Sequence, residues 1–131
     1  MIIRQYKSED YKPMIDLLIK ANVEPPAEES DLEGFCIVAE EEGQLIGCIW
    51  ALVGLSTQCY VDYFAIHPNY QRTKLGWNLL QVMDNALKQA GIKRFSFYVE
   101  PDNKYFISLM DKSDKITKLR DLKFFRREIG D

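Results

Sequence analysis

Residues 57–66 alternate along a strand but carry apolar or aromatic side chains on both faces. Tyr60, Asp62, Phe64 and Ile66 fall on one face, and Cys59, Val61, Tyr63 and Ala65 on the other. A strand apolar on both sides predicts a central position in its sheet. After a polar loop, Leu79, Leu80, Met83 and Leu87 recur on one helical stripe over residues 75–89, and Gly91 stands just past the end as a stop. Residues 94–100 then alternate again. Strand, helix and strand in that order predict a parallel crossover, whereas the short connections elsewhere predict antiparallel neighbours, so the expected sheet is mixed.

The flanking segments fill in the order. Residues 2–6 read as a short strand, and Ser8 is placed to cap a helix running to about residue 22. Tyr11, Met14, Ile15, Leu18 and Ile19 form its expected buried stripe, with Pro13 tolerated in the first turn. Residues 23–34, with Pro25, Pro26 and several carboxylates, read as a long loop of the kind that carries function. Residues 35–40 and 44–53 form a hairpin around Glu41-Glu42-Gly43. Pro101-Asp102 opens a helix over 102–112, and residues 116–119 with 123–129 make a final hairpin. The order is β-α-β-β-β-α-β-α-β-β.

A chain of 131 residues suits a single domain over residues 1–131 and is short for two. Its net charge of -3 argues against a dedicated nucleic-acid surface, although basic residues recur between Lys112 and Arg127. Cys36, Cys48 and Cys59 lack metal-type spacing and sit in apolar runs, which reads as buried reduced thiols and no metal centre. His67 is the one histidine, placed before a proline as a turn residue. Trp50 and Trp77 read as core or core-edge rings. No apolar run is long enough to span a membrane and no leader pattern opens the chain, so a cytoplasmic protein is expected.

Residues 66–80 read Ile-His-Pro-Asn-Tyr-Gln-Arg-Thr-Lys-Leu-Gly-Trp-Asn-Leu-Leu. A helix start leaves several N–H groups without partners and carries the positive end of the helix dipole, which together suit a phosphate. The plainer alternative is an ordinary polar loop with solvated cations. Gln71, Lys74 and Gly76 fall on the pattern Gln-x-x-Gly-x-Gly/Ala, and residues 103–110 look like Asn-x-x-Ala-x-x-x-Tyr. On these residues, and on the element order along nearly the whole chain, the sequence resembles the GNAT superfamily of acetyl-CoA-dependent N-acetyltransferases. The resemblance implies an α/β (α+β) fold: a mixed, mostly antiparallel sheet of about six to seven strands flanked by about three to four helices.

The resemblance also implies a site. Acetyl-CoA, or another acyl-CoA, lays its pantetheine arm along the central strand and pairs with backbone groups of Phe64 and Ile66, as an added strand does. The Phe64 N–H then polarises the thioester carbonyl. Backbone groups of Arg72, Thr73, Lys74, Leu75, Gly76 and Trp77 surround the pyrophosphate, Gln71 packs at the loop entrance, and Arg72 or Lys74 adds positive charge. The chain departs from the family pattern at three places. Lys74 stands where a glycine would allow close approach and a positive φ, although its ammonium suits a phosphate. Phe106 replaces a small residue. Met110 replaces the tyrosine that protonates the departing thiolate, for which Tyr105 and Tyr98 are substitutes. Asp62 is the candidate base, its proton affinity raised by burial, with Tyr60 in reserve; Asp62 is alternatively a strand carboxylate paired with a basic neighbour. Asn103 either bonds the pantetheine amide or caps its helix.

The implied reaction is acyl transfer to a primary amine by direct attack in a ternary complex. The acceptor is a small molecule or a peptide, and the acidic stretch after the first helix favours a cationic one. The alternative is a catalytically degenerate member that binds acyl-CoA or a protein partner. Pairing of the last strand across a homodimer is a further possibility the pattern leaves open.

Overall fold

The computed structural model describes residues 1–29, 34–54, 59–116 and 127–130. It divides into two compact units, Met1–Tyr98 and Val99–Asp131, each taken by itself below. The first holds β1 (Ile2–Gln5), α1 (Tyr11–Lys20), β2 (Phe35–Glu41), β3 (Gln44–Val53), β4 (Cys59–Ile66) and α2 (Leu75–Gln89). The second holds α3 (Lys104–Asp111). Among the described residues no helix is long and apolar enough to cross a membrane.

The sheet order is β1-β2-β3-β4, every neighbour antiparallel. Among the described residues the sheet has four strands, not the expected six to seven, beside three α-helices. Residues 94–100, expected as a parallel strand, make one parallel bridge, Tyr60 with Ser96. Val61 N–H donates to Ser96 O at 2.8 Å, and Ser96 N–H donates to Cys59 O at 2.9 Å. β4 is therefore the end strand of the four rather than a central one. The expected final hairpin falls largely on residues 117–126, outside the described residues.

One core forms where α1 lies on the sheet: Met14, Leu17 and Leu18 pack with Cys36, Val38, Cys48, Trp50 and Ala65. Burial of such side chains contributes about 1.5–3 kcal/mol each, so this face sets where α1 sits. The expected stripe shifts accordingly, with Leu17 buried and Ile19 60% exposed. Ser8 is not the cap. A 3-10 turn over Ser8–Asp10 precedes α1, and the buried Asp10 accepts the Lys7 N–H at 2.7 Å. Arg4 grips Asp10 through two bonds of 2.8 and 2.9 Å and reaches Glu40 at 3.1 Å.

α2 buries Leu75, Leu79, Leu80, Met83 and Leu87. A Cβ at Gly47 would come within 2.8 Å of Leu79 Cδ1, so glycine on β3 is what lets the start of α2 approach the sheet. That close approach places the N-terminus of α2 beside the end of β4.

The alternation expected along β4 breaks at Asp62. Tyr63 faces Trp50 and Val61 faces Ala51, which leaves Asp62 as an inserted bulge residue. Opposed residues share a face, and both Trp50 and Leu52 pack on the α1 side. Tyr63 and Tyr60, which oppose them, therefore lie on the α1 side, while Phe64 opposite Ile49 and Ile66 opposite Gly47 lie on the α2 side. Tyr60 thus does not share a face with Phe64 and Ile66, contrary to the plain alternation.

Candidate active site

The bulge also decides which way the backbone of β4 points. His67 N–H donates to Ile46 O, and the register runs on through Gly47 with Ile66 and Ile49 with Phe64. Antiparallel pairs alternate between exchanging and not exchanging hydrogen bonds, so Ile66 and Phe64 fall at positions whose N–H and C=O turn away from β3. They turn toward the edge where residue 96 bridges β4 farther back along the strand.

From Ile66 the chain enters the loop that leads to α2. Gln71 Nε2 donates to Ile66 O at 3.1 Å, tying the loop to the end of β4. His67 Nδ1 accepts the Asn69 N–H at 3.1 Å within a short turn over Pro68–Tyr70, as a turn residue does. Tyr70 donates its hydroxyl to Glu41 Oε2, and this bond to Glu41 raises the Tyr70 pKa, keeping the phenol protonated. Thr73 Oγ1 donates to Tyr70 O and accepts the Leu75 N–H at 3.2 Å.

Two expectations change here. The left-handed residue of the loop is Arg72, at φ 62, whereas Lys74 sits at φ -78 and ψ 0. A side chain at position 74 therefore carries no backbone penalty, and the feared obstruction of a positive φ does not arise. The Leu75 amide is taken by Thr73, so the helix-start amides without an intrahelical acceptor that point onward are those of Gly76 and Trp77. Arg72 and Lys74 are exposed and make no ion pair with any of the described residues.

Asp62 and Tyr60 are exposed, Tyr60 at 51%. The burial expected of Asp62 is therefore not found. Asn103 lies in the second unit, where its side chain accepts the Phe106 N–H at 3.2 Å and caps α3. Phe106 and Met110 are on that same helix.

Cys36, Cys48 and Cys59 are free and buried. Burial pushes all three thiols up, Cys48 to about 12, so none carries the thiolate that nucleophilic chemistry needs. No group of metal-ligating side chains occurs among the described residues.

Four contacts had no counterpart in the sequence reading: Arg4 with Asp10 and with Glu40, Tyr70 with Glu41, and Tyr6 with Glu29. Tyr6 donates to Glu29 Oε1 at 3.1 Å and sets its ring edge-on to Trp50, centroids 5.0 Å apart. Burial and the Glu29 carboxylate push the Tyr6 phenol well above its ordinary range. Glu29, in the acidic stretch after α1, is thereby tied to Tyr6. Only the excess of carboxylates in residues 23–34 hinted at it.

Residues 3–113 match the acetyltransferase (GNAT) family. No curated protein sequence matches the chain. Among solved structures, the chain is similar to an Escherichia coli N-acetyltransferase that acts on a ribosomal-protein alanine. That match has 21% identity and a TM-score of 0.73, over 84% of this chain and 74% of the other. It is also similar to the aminoglycoside N-acetyltransferase AAC(6')-Iy in complex with CoA, with 13% identity and a TM-score of 0.77, over 98% and 100%. The diaminobutyrate acetyltransferase EctA from Paenibacillus lautus, in complex with its substrate and coenzyme A, matches with 17% identity and a TM-score of 0.70, over 85% and 75%.

Proposed function

The chain belongs to the acetyltransferase (GNAT) family, and on that premise we propose that it moves an acetyl group from acetyl-CoA to a primary amine. The reading that β4 and the start of α2 receive the thioester rests above all on the direction of the β4 backbone. Phe64 and Ile66 turn their N–H and C=O groups to the edge away from β3, the direction a strand-like pantetheine arm requires, with the Ile66 C=O also holding Gln71.

Each residue then has a task. Phe64 N–H holds the thioester oxygen as it gains charge, a contact commonly worth ~2.7–4 kcal/mol of barrier. Gly76 and Trp77 offer their amides to the pyrophosphate, and Arg72 and Lys74 offer charge. Gln71 and Thr73 hold the loop in shape, and the Leu75 amide is part of that internal cap. The neutral amine attacks the carbonyl carbon, the C–S bond breaks, and the thiolate of CoA leaves. Asp62, exposed at the bulge, takes the amine's proton through water, with Tyr60 beside it as the alternative. A thiolate is weakly basic, so its departure does not require an acid.

A cationic amine is the acceptor class that the acidic stretch after α1 favours, with Glu29 held by Tyr6. The test is release of free thiol from acetyl-CoA across a panel of small and peptide amines, beside calorimetry with CoA. Turnover with at least one amine supports the proposal. Tight binding of CoA without thiol release over the whole panel replaces it with a binding module, and no binding at all ends both.

A further inference from the structure

The loop between β4 and α2 is tied to its own neighbours by Gln71 and Thr73, but its middle reaches a different hairpin. Tyr70 and Glu41 are 29 residues apart, and both are half-buried. The Tyr70 ring stands edge-on to His67 with centroids 6.0 Å apart, and its carbonyl accepts the Thr73 hydroxyl that caps α2. Through its side chain and its carbonyl, Tyr70 thus couples the end of β2, the turn after β4 and the first turn of α2. Two residues later Arg72 holds φ 62, a conformation that a non-glycine keeps only when its surroundings fix it. The Glu41 carboxylate is engaged by the phenol, not by the loop's cations.

Resting on the acetyl-CoA reading above, we propose that Tyr70 and Glu41 are positioning residues, whose hydrogen bond sets the 67–74 loop in the shape that receives the cofactor's diphosphate. They act through Arg72 and the Gly76 and Trp77 amides. A hydroxyl bound to a carboxylate is among the stronger neutral-to-charged contacts, and it is the loop's one side-chain anchor outside residues 66–75 among the described residues.

The experiment titrates CoA, and separately pantetheine, which lacks the diphosphate, into the wild type, Tyr70→Phe, Glu41→Ala, Glu41→Gln and the double variant Tyr70→Phe/Glu41→Ala, with a melting temperature for each. The Kd for CoA is expected to rise about tenfold in Tyr70→Phe and in Glu41→Ala, and no further in the double variant, because both remove one contact. Glu41→Gln keeps an acceptor oxygen and loses less. Pantetheine affinity stays put in all of them. Unchanged CoA affinity overturns the proposal, as does an equal loss for CoA and pantetheine in step with the melting temperature. A wild type that binds neither compound instead overturns the functional reading, and the positioning role falls with it.

Discussion

The chain turns from strand into helix at two polar corners, β1 into α1 and β4 into α2, and the two dispose of their charges in opposite ways. At the first, Arg4 is gripped by Asp10 and Glu40, and Asp10 also takes the Lys7 amide, so charge is answered inside the corner. At the second, the ties are made by Gln71, Thr73, His67 and Tyr70, while Arg72 and Lys74 have no acidic partner among the described residues. The first corner spends its cation on stability. The second keeps its cations available to an outside anion, which is the disposition a binding loop needs.

If that contrast is sound, the largest effect comes from Asp10→Ala. It leaves Arg4 with Glu40 alone and the Lys7 N–H unanswered, and should cost about 2–4 kcal/mol of folding stability in urea unfolding. CoA affinity measured on the folded protein should not change. Acid gives a second readout of the same group. The Arg4 hydrogen bond holds the Asp10 carboxyl below its ordinary value, so its stabilisation is full above the unfolded carboxylate pKa of about 4 and is lost as pH falls through the folded value. Asp10→Asn should flatten that part of the acid limb. A limb identical to that of the wild type would break the comparison at its first corner.

The next effect belongs to the second corner and should be its mirror image. Lys74→Glu or Arg72→Glu should shift folding stability by no more than about 0.5 kcal/mol, as exposed substitutions generally do, yet weaken CoA about tenfold each by calorimetry. Added salt should shrink the loss. A large drop in stability with CoA affinity intact would make the two corners alike.

The sequence announced some of this and hid the rest for identifiable reasons. Residues 75–89 and the 35–53 hairpin were legible because their side-chain periods and the Glu42-Gly43 turn are local signals, and both elements form where expected. The break at Asp62 was not. A bulge adds a residue without changing the types around it, so simple alternation assigned Tyr60 to the wrong face. The alternating residues 94–100 likewise had the pattern of a strand, but pairing needs a register that composition does not carry, and one bridge resulted. In the candidate site, a short pattern is what draws attention to Gln71 and Gly76. Tyr70 with Glu41 was not legible, because a contact between residues so far apart leaves no mark in either segment. The left-handed position was sought at Lys74, where a glycine was missed, and lies at Arg72 instead.

That displacement supplies the smallest test. Arg72→Ala and Arg72→Gly remove the same guanidinium but differ at φ 62, where a Cβ costs roughly 1 kcal/mol and glycine is at ease. Glycine also gives the unfolded chain more freedom, which offsets most of that gain. The glycine variant should therefore be as stable as the wild type within about 0.5 kcal/mol, and the alanine variant no more stable than that. CoA binding then separates charge from shape. If the guanidinium alone matters, both variants lose the same affinity. If the loop must be held at this backbone conformation before the anion arrives, glycine binds better than alanine when strain limits the loop, and worse when freedom does. Equal affinities would leave Arg72 as a charge on a loop whose shape is set entirely by its neighbours.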